Sequence, residues 1–173
     1  MEEGTRTPLS DVIVVATWHG TVSSLAGGTG ICFHVESTTT DAKGHYYIPA
    51  WKKQTKFARS KDQFVDVIVY KSGYQWPDKV LEKGNESYLS LAKETSGERL
   101  AHLSRVAISC SDKRDIDINL LPLYKALYKE AKNLAVTKED KDVVETLLFG
   151  LESLEFDSMT ALKKMTQRRE AGK

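Results

Sequence analysis

Cys32, His34 and Glu36 alternate along one short run, Ile31-Cys32-Phe33-His34-Val35-Glu36. A thiolate, an imidazole and a carboxylate are all zinc ligands, and an extended strand shows alternate residues on one face. The spacing opposes a shared ion, because same-face residues on a strand lie about 7 Å apart. No second His/Cys cluster stands elsewhere in the chain. The simpler reading is a half-exposed polar strand face, with Ile31, Phe33 and Val35 pointing inward, and no metal site is expected.

Covalent chemistry has little to work with. The histidines are His19, His34, His45 and His102. A nucleophile–base pair needs a Ser or Cys beside one of them in space, which linear order does not reveal. The chain has no Gly-x-Ser-x-Gly elbow and no His-Glu-x-x-His. Gly27-Gly28-Thr29-Gly30 is glycine-rich but lacks the lysine of a phosphate loop and reads as a flexible loop. Asn85-Glu86-Ser87 fits a glycosylation acceptor, a frequent chance match. No catalytic residue and no cofactor is expected. The residues left for recognition are aromatic: Trp18, Trp51 and Trp76 at ends of predicted strands, with Tyr74 nearby. They either cap the core or, if exposed, form a binding patch of the Trp/Tyr kind. The basic tail Lys163, Lys164, Arg168 and Arg169 reads as a solvated helix end.

The elements that would position these residues fall into two halves. From Asp11 to about Trp76 the pattern is β. Val12 to Trp18 is β-branched and apolar on both faces, as in a covered strand. Ile31 to Glu36, Tyr46 to Ile48 (ended by Pro49) and Phe64 to Tyr70 are the further strands, and His19 to Gly30 reads as a long loop. In Asp41-Ala42-Lys43-Gly44 the Asp side chain can bond amides two residues on, and Gly can take positive φ. A hairpin turn is therefore expected between Val35–Thr40 and His45–Ile48. Lys71-Ser72-Gly73-Tyr74 is a second glycine turn.

After about Tyr88 the period becomes helical. Leu100, Leu103, Ala107 and Cys110 share one face; Leu120, Tyr124, Leu127, Ala131 and Leu134 form a second stripe. Pro122 suits a first helical turn, and Thr137 followed by Glu139 and Asp140 reads as a capped helix start. Val143, Val144, Leu147, Leu148, Leu151 and Leu154 carry a third stripe, and Met159, Leu162 and Met165 a short last helix. Pro77 to Glu86 is the expected linker. The fold class is α+β: a small antiparallel sheet followed by three to four helices packed on one of its faces.

The chain has 173 residues, 40% hydrophobic and 28% charged, with a formal net charge of +1. A chain of this size buries roughly 70% of its unfolded surface without staples. The near-neutral charge opposes a nucleic-acid partner, whose binders carry a basic excess. No apolar run approaches a membrane span. Glu2, Glu3 and Gly4 after Met1 carry no signal segment, so the chain reads either as cytosolic or as a mature protein behind a new Met. The two cysteines, Cys32 and Cys110, are either free buried thiols or a pair closing a loop of about 80 residues.

Three landmarks resemble the carboxypeptidase regulatory-like domains, which share a transthyretin-like (prealbumin-like) β-sandwich. Thr7-Pro8-Leu9-Ser10-Asp11-Val12 is similar to their Thr-Gly-x-Pro-Leu-x-Gly opening, with Ser10-Asp11 in place of the usual Gly. Thr40-Asp41-Ala42-Lys43-Gly44-His45-Tyr46-Tyr47-Ile48-Pro49 looks like their Thr-Asp-x-x-Gly-x-Phe-x-Ile-Pro hairpin. Val69-Tyr70-Lys71-Ser72-Gly73-Tyr74 looks like the closing Val-x-Lys-x-Gly-Tyr strand. The resemblance implies such a β domain over residues 5–76 and a helical extension over 87–169 packed on it as one compact unit. The family's first strand is absent or reduced to Met1–Gly4. Cys32-Phe33-His34-Val35-Glu36, Ser109-Cys110 and Leu120-Leu121-Pro122-Leu123-Tyr124 also resemble a group of small bacterial envelope proteins, often lipoproteins.

That second resemblance implies export to the periplasm and a Cys32–Cys110 disulfide. It further implies a non-enzymatic module that binds a protein partner, at its sharpest an immunity protein neutralising a secreted toxin such as a type VI secretion phospholipase. Trp51, Tyr74 and Trp76, with the segment His19–Gly30, are the expected contacts. A membrane enters only through a lipid anchor outside this chain. The alternative is a structural or carbohydrate-binding accessory of the envelope.

Overall fold

A computed structural model describes residues 1–24, 27–51, 64–75, 81–83, 86–106, 110 and 117–171. Strands β1 (Ile13–Ser24), β2 (Gly27–Thr39) and β3 (Phe64–Tyr70) form an antiparallel sheet in the order β2-β1-β3. Strands β4 (Leu81–Lys83) and β5 (Glu86–Tyr88) pair as a hairpin. Helices α1 (Ser96–Arg105), α2 (Leu121–Leu134), α3 (Lys138–Glu155) and α4 (Ser158–Ala171) follow, with a 3₁₀ turn over Ile118–Leu120 leading into α2. The class is α+β, as the two periodicities predict. Among the described residues no helix is long and apolar enough to cross a membrane.

β1 is the central strand, and its two-sided apolarity has a direct cause. Val15 is fully buried in a core with Val35, Tyr70, Leu100, Leu123 and Leu127, between the sheet and the helices. Its neighbour Val14 is fully buried on the opposite face, in a smaller core with Leu9, Val12, Val69 and Leu89. Thr40 clasps the start of β1 to the end of β2: its hydroxyl donates to the Leu9 carbonyl at 2.7 Å and accepts from the Val12 amide at 3.0 Å. At the same corner Asp11 has φ 55°, a left-handed conformation at the place where the resembled family has glycine.

Several expectations need correction. His19 to Gly30 is not a long loop: its described residues continue β1 to Ser24 and start β2 at Gly27. Lone Gly and Ser residues weaken a strand without breaking it when the partner strand is in register. The Asp41 turn forms as expected, with Asp41 Oδ1 accepting from the Lys43 and His45 amides at 2.8 Å each and Gly44 at φ 75°. Yet Tyr46–Ile48 is not a strand; the chain past His45 runs without a ladder. The expected linker is in part the β4–β5 hairpin, its remainder lying outside the described residues. Helix α1 ends at Arg105, so Cys110 is not on its stripe, and Ala107 lies outside the described residues.

The other helical stripes are as the sequence predicts. Leu120, Leu127 and Ala131 are fully buried, and Pro122 sits in the first turn of α2. Thr137 and Asp140 form a reciprocal capping box on α3, and Thr95 with Glu98 forms another on α1. The stripe of α4 differs: Met159 and Leu162 are exposed, while Ala161 is fully buried. Seven residues on from Ala161, Arg168 faces α3 as well: it forks onto both oxygens of Glu152 at 3.0 and 3.1 Å and reaches Glu145 at 3.2 Å.

Candidate functional site

The register of β1 with β2 slips once, and the slip decides where the chemistry-bearing residues go. Trp18 faces His34 and His19 faces Cys32, so Phe33 is the extra residue of a β-bulge. Above the bulge, Thr17 faces Val35, and both lie on the helix side with Val15. Past it, Cys32 stands opposite His19 and so also lies on the helix side. Cys32, His34 and Glu36 therefore do not share one face, and Ile31 turns to solvent at 37% exposure. Cys32 is bonded to Cys110, with a Cα–Cα distance of 4.8 Å. Its sulfur is thus no thiolate ligand. Among the described residues no group of three or more His, Cys, Asp or Glu could hold a metal ion.

His34 stays on the open face, in an aromatic cluster. Its ring stacks on Trp51 at 4.6 Å and 9°, and Trp18 lies 5.3 Å from it, tilted by 51°. Trp18 and Trp51 are 6.1 Å apart with planes at 59°. His34 Nε2 lies 2.9 Å from Glu36 Oε1. Ala16, Val65 and Val67 floor a groove of about 820 Å³ beside this cluster, and the segment Tyr46–Trp51 forms its far wall. Tyr46 is 42% and Tyr47 79% exposed. The arrangement offers apolar floor, aromatic wall and a histidine already engaged, which suits binding by burial and stacking.

Of the four aromatics expected to form one patch, the structure brings two to this groove. Trp18 and Trp51 line it. Tyr74 does not: it packs on the smaller core, and its phenol donates to Glu2 at 3.2 Å. Trp76 lies outside the described residues. Tyr46 and Tyr47, which line the groove, and His34 beside it are not among the contacts expected from the sequence. Their pattern reads as strand, and only the absence of a ladder past the Asp41 turn frees them.

A hydroxyl does meet a histidine elsewhere. On the helix side His19 Nε2 lies 2.9 Å from Thr17 Oγ1 and 3.6 Å from Asp66 Oδ2. A triad needs the hydroxyl and the acid on different ring nitrogens, so that one nitrogen takes a proton while the other is oriented. Here both address Nε2, and Thr17 is 2% exposed. This is a structural polar contact.

A buried ion pair is also structural. Arg99 (4% exposed) forks onto Glu130 (8% exposed), with Nε–Oε1 at 2.9 Å and Nη2–Oε2 at 3.3 Å. The Tyr70 hydroxyl donates to the same carboxylate. Burial pushes the Glu130 carboxyl up, but the Arg99 and Tyr70 hydrogen bonds and the Arg99 charge outweigh it and hold the group below the usual range. Burial and the neighbouring carboxylate together push the Tyr70 phenol far up. The cluster ties β3, α1 and α2 together. Comparison of the chain with protein-family models, curated proteins and solved structures finds no match.

Proposed function

We propose that the protein is a non-enzymatic protein-binding module of the bacterial periplasm. In its sharpest form it is an immunity protein that binds and blocks an antibacterial toxin, such as a type VI secretion phospholipase. One observation supports this above the others: the groove walled by Trp18, Trp51, Tyr46 and Tyr47, open beside the edge strand β3. Val65, in the groove's floor on that edge, is 47% exposed. Aromatic side chains with one apolar and one wet side are typical interface anchors, and a neutralising contact needs only about 800 Å² per partner. The disulfide suits an oxidising compartment. The resemblance to transthyretin-like domains supports an accessory rather than catalytic role.

On this reading a projecting segment of the toxin lies in the groove, and the body of the protein covers the toxin's active site. A sugar-binding accessory would call for exposed, coplanar tryptophans. Here the two rings are half-buried and inclined at 59°, which favours the protein partner. The test is affinity capture from a periplasmic extract of the native host, with wild-type protein and a Tyr47→Ala/Trp51→Ala variant of matched stability. A secreted toxin retained by the wild type, lost with the variant, and detoxified on co-expression is the expected result. Capture unaffected by the two substitutions removes the groove from the mechanism; a wild-type chain that protects against no captured toxin removes the immunity reading.

A further inference from the structure

Strand β3 is an edge of the sheet: β1 lies on one side of it, and among the described residues no strand pairs with the other. Alternate amides and carbonyls of an edge strand point away from its neighbour, and proteins ordinarily guard such a row with Lys, Pro, a bulge or a covering segment. From Phe64 to Val67 none of these guards is present. The run Phe-Val-Asp-Val holds no Lys or Pro, and its register with β1 is unbroken. Phe64 is 56% and Val65 47% exposed, and the Asp66 side chain 60%, so neither face is covered at this end. The other end of the strand is closed, with Val69 and Tyr70 each 2% exposed. The open stretch is about 13 Å long.

Its two faces ask for different side chains. Val65 and Val67 lie on the open face, in the groove's floor. Phe64 and Asp66 lie on the other, where Phe64 stacks on His19 at 5.2 Å and 15°. Among the described residues Asp66 has no Lys or Arg partner; His19 is its charge neighbour, at 3.6 Å. Directly opposite residues of paired strands interact, and like charges there destabilise. A strand added beside β3 is therefore matched by apolar residues facing Val65 and Val67 and a cation facing Asp66. A second copy paired about Asp66 would instead set two carboxylates against each other.

We infer that the protein partner supplies an extended segment that adds to the sheet beside Phe64–Val67, with a Lys or Arg facing Asp66 between two β-branched residues that extend the groove's floor. The inference rests on the protein-binding reading above and names the chemistry of the segment bound. The probe is the capped peptide Thr-Thr-Val-Lys-Val-Thr-Thr, which reads alike in both strand directions, titrated into isotope-labelled protein and followed by amide shifts. It should bind about fivefold more tightly than the same peptide with Glu for Lys. Asp66→Lys, at an exposed position, should reverse that order while leaving the melting temperature unchanged. Because alternate amides of an added strand face β3, N-methylation at one of two adjacent peptide residues, the Lys and the Val before it, should abolish binding, and at the other should spare it. The inference is overturned if no peptide binds at millimolar concentration, if Asp66→Lys leaves the order unchanged, or if both N-methyl peptides bind alike. It is also overturned if the free chain sediments as a dimer in which the amides of β3 are protected from exchange. Peptide binding by these rules with no toxin captured supports the edge and removes the immunity reading alone. A captured toxin that excess peptide does not displace overturns the edge and leaves the immunity reading standing.

Discussion

Glu130 joins three parts of the chain through its carboxylate. It receives two bonds from Arg99, one from Tyr70 and a long one from the Gly73 amide at 3.4 Å. Replacing it by Gln leaves the buried Arg99 charge with only the Glu94 carboxylate, at 3.9 Å, a change that costs about 3 kcal/mol. Urea unfolding of Glu130→Gln at neutral pH should show that loss, and an unchanged midpoint would refute the role. The sign of the pH dependence follows from the direction of the shift. Because the folded carboxyl lies below its unfolded value, its contribution is complete above the unfolded value of about 4.3. It drains away as the pH falls through the lowered folded value. Wild-type stability should therefore drop on acidification more steeply than that of Glu130→Gln, and parallel profiles would contradict the assignment.

At the scale of elements, one bulge and one glycine stand out. The bulge at Phe33 carries Cys32 to the helix side, where it meets Cys110 78 residues on. Closing a loop of that length restricts the unfolded chain by up to about 4.5 kcal/mol in the chain-entropy model. A Cys32→Ser/Cys110→Ser double variant should lose a large part of this in denaturant titration, and wild-type protein under reductant should fall to the same midpoint. Gly150 lies within α3, where Ala would ordinarily gain about 1 kcal/mol from helix propensity. A Cβ there would stand 2.8 Å from Cε1 and 3.2 Å from Cδ1 of the buried Tyr124 ring. Overpacking of this kind costs about 1–3 kcal/mol. Gly150→Ala should thus be net destabilising by thermal melting; a raised melting temperature would mean that α2 and α3 part more readily than their packing implies.

Among the described residues the molecule has two cores, one on each face of the sheet. Val14 and Val15, adjacent on β1, bury into different ones. A shared strand, together with the Tyr70–Glu130–Arg99 cluster and the disulfide, ties the sheet to the helices. Leu127→Ala in the helix-side core should cost about 3 kcal/mol, and Val69→Ala in the smaller core about 2 kcal/mol. Each should lower the same single transition, by roughly 2–4 °C per kcal/mol. Two separable transitions in calorimetry, one moved by each variant, would show that the sheet and the helical layer fold independently.

Local rules written in adjacent residues were enough for a good part of this protein. The covered strand from Val12 to Trp18, the Asp41–Gly44 turn, the helical stripes through Leu127 and Leu147, and the Thr137 cap all follow from side-chain type and short-range period. Those preferences act over a few residues and survive into the fold. Tertiary structure decided what depends on register and on partners far along the chain. Whether His19–Gly30 extends two strands depends on each having the other to pair with. Which face Cys32 occupies depends on one inserted residue, Phe33, against a ladder of 12 paired positions on β1. Whether Tyr46 and Tyr47 are strand or groove wall depends on whether a neighbouring strand lies beside them. A period of two is inverted by a single inserted residue, so the composition of a face can be read locally, but its assignment to core or solvent cannot.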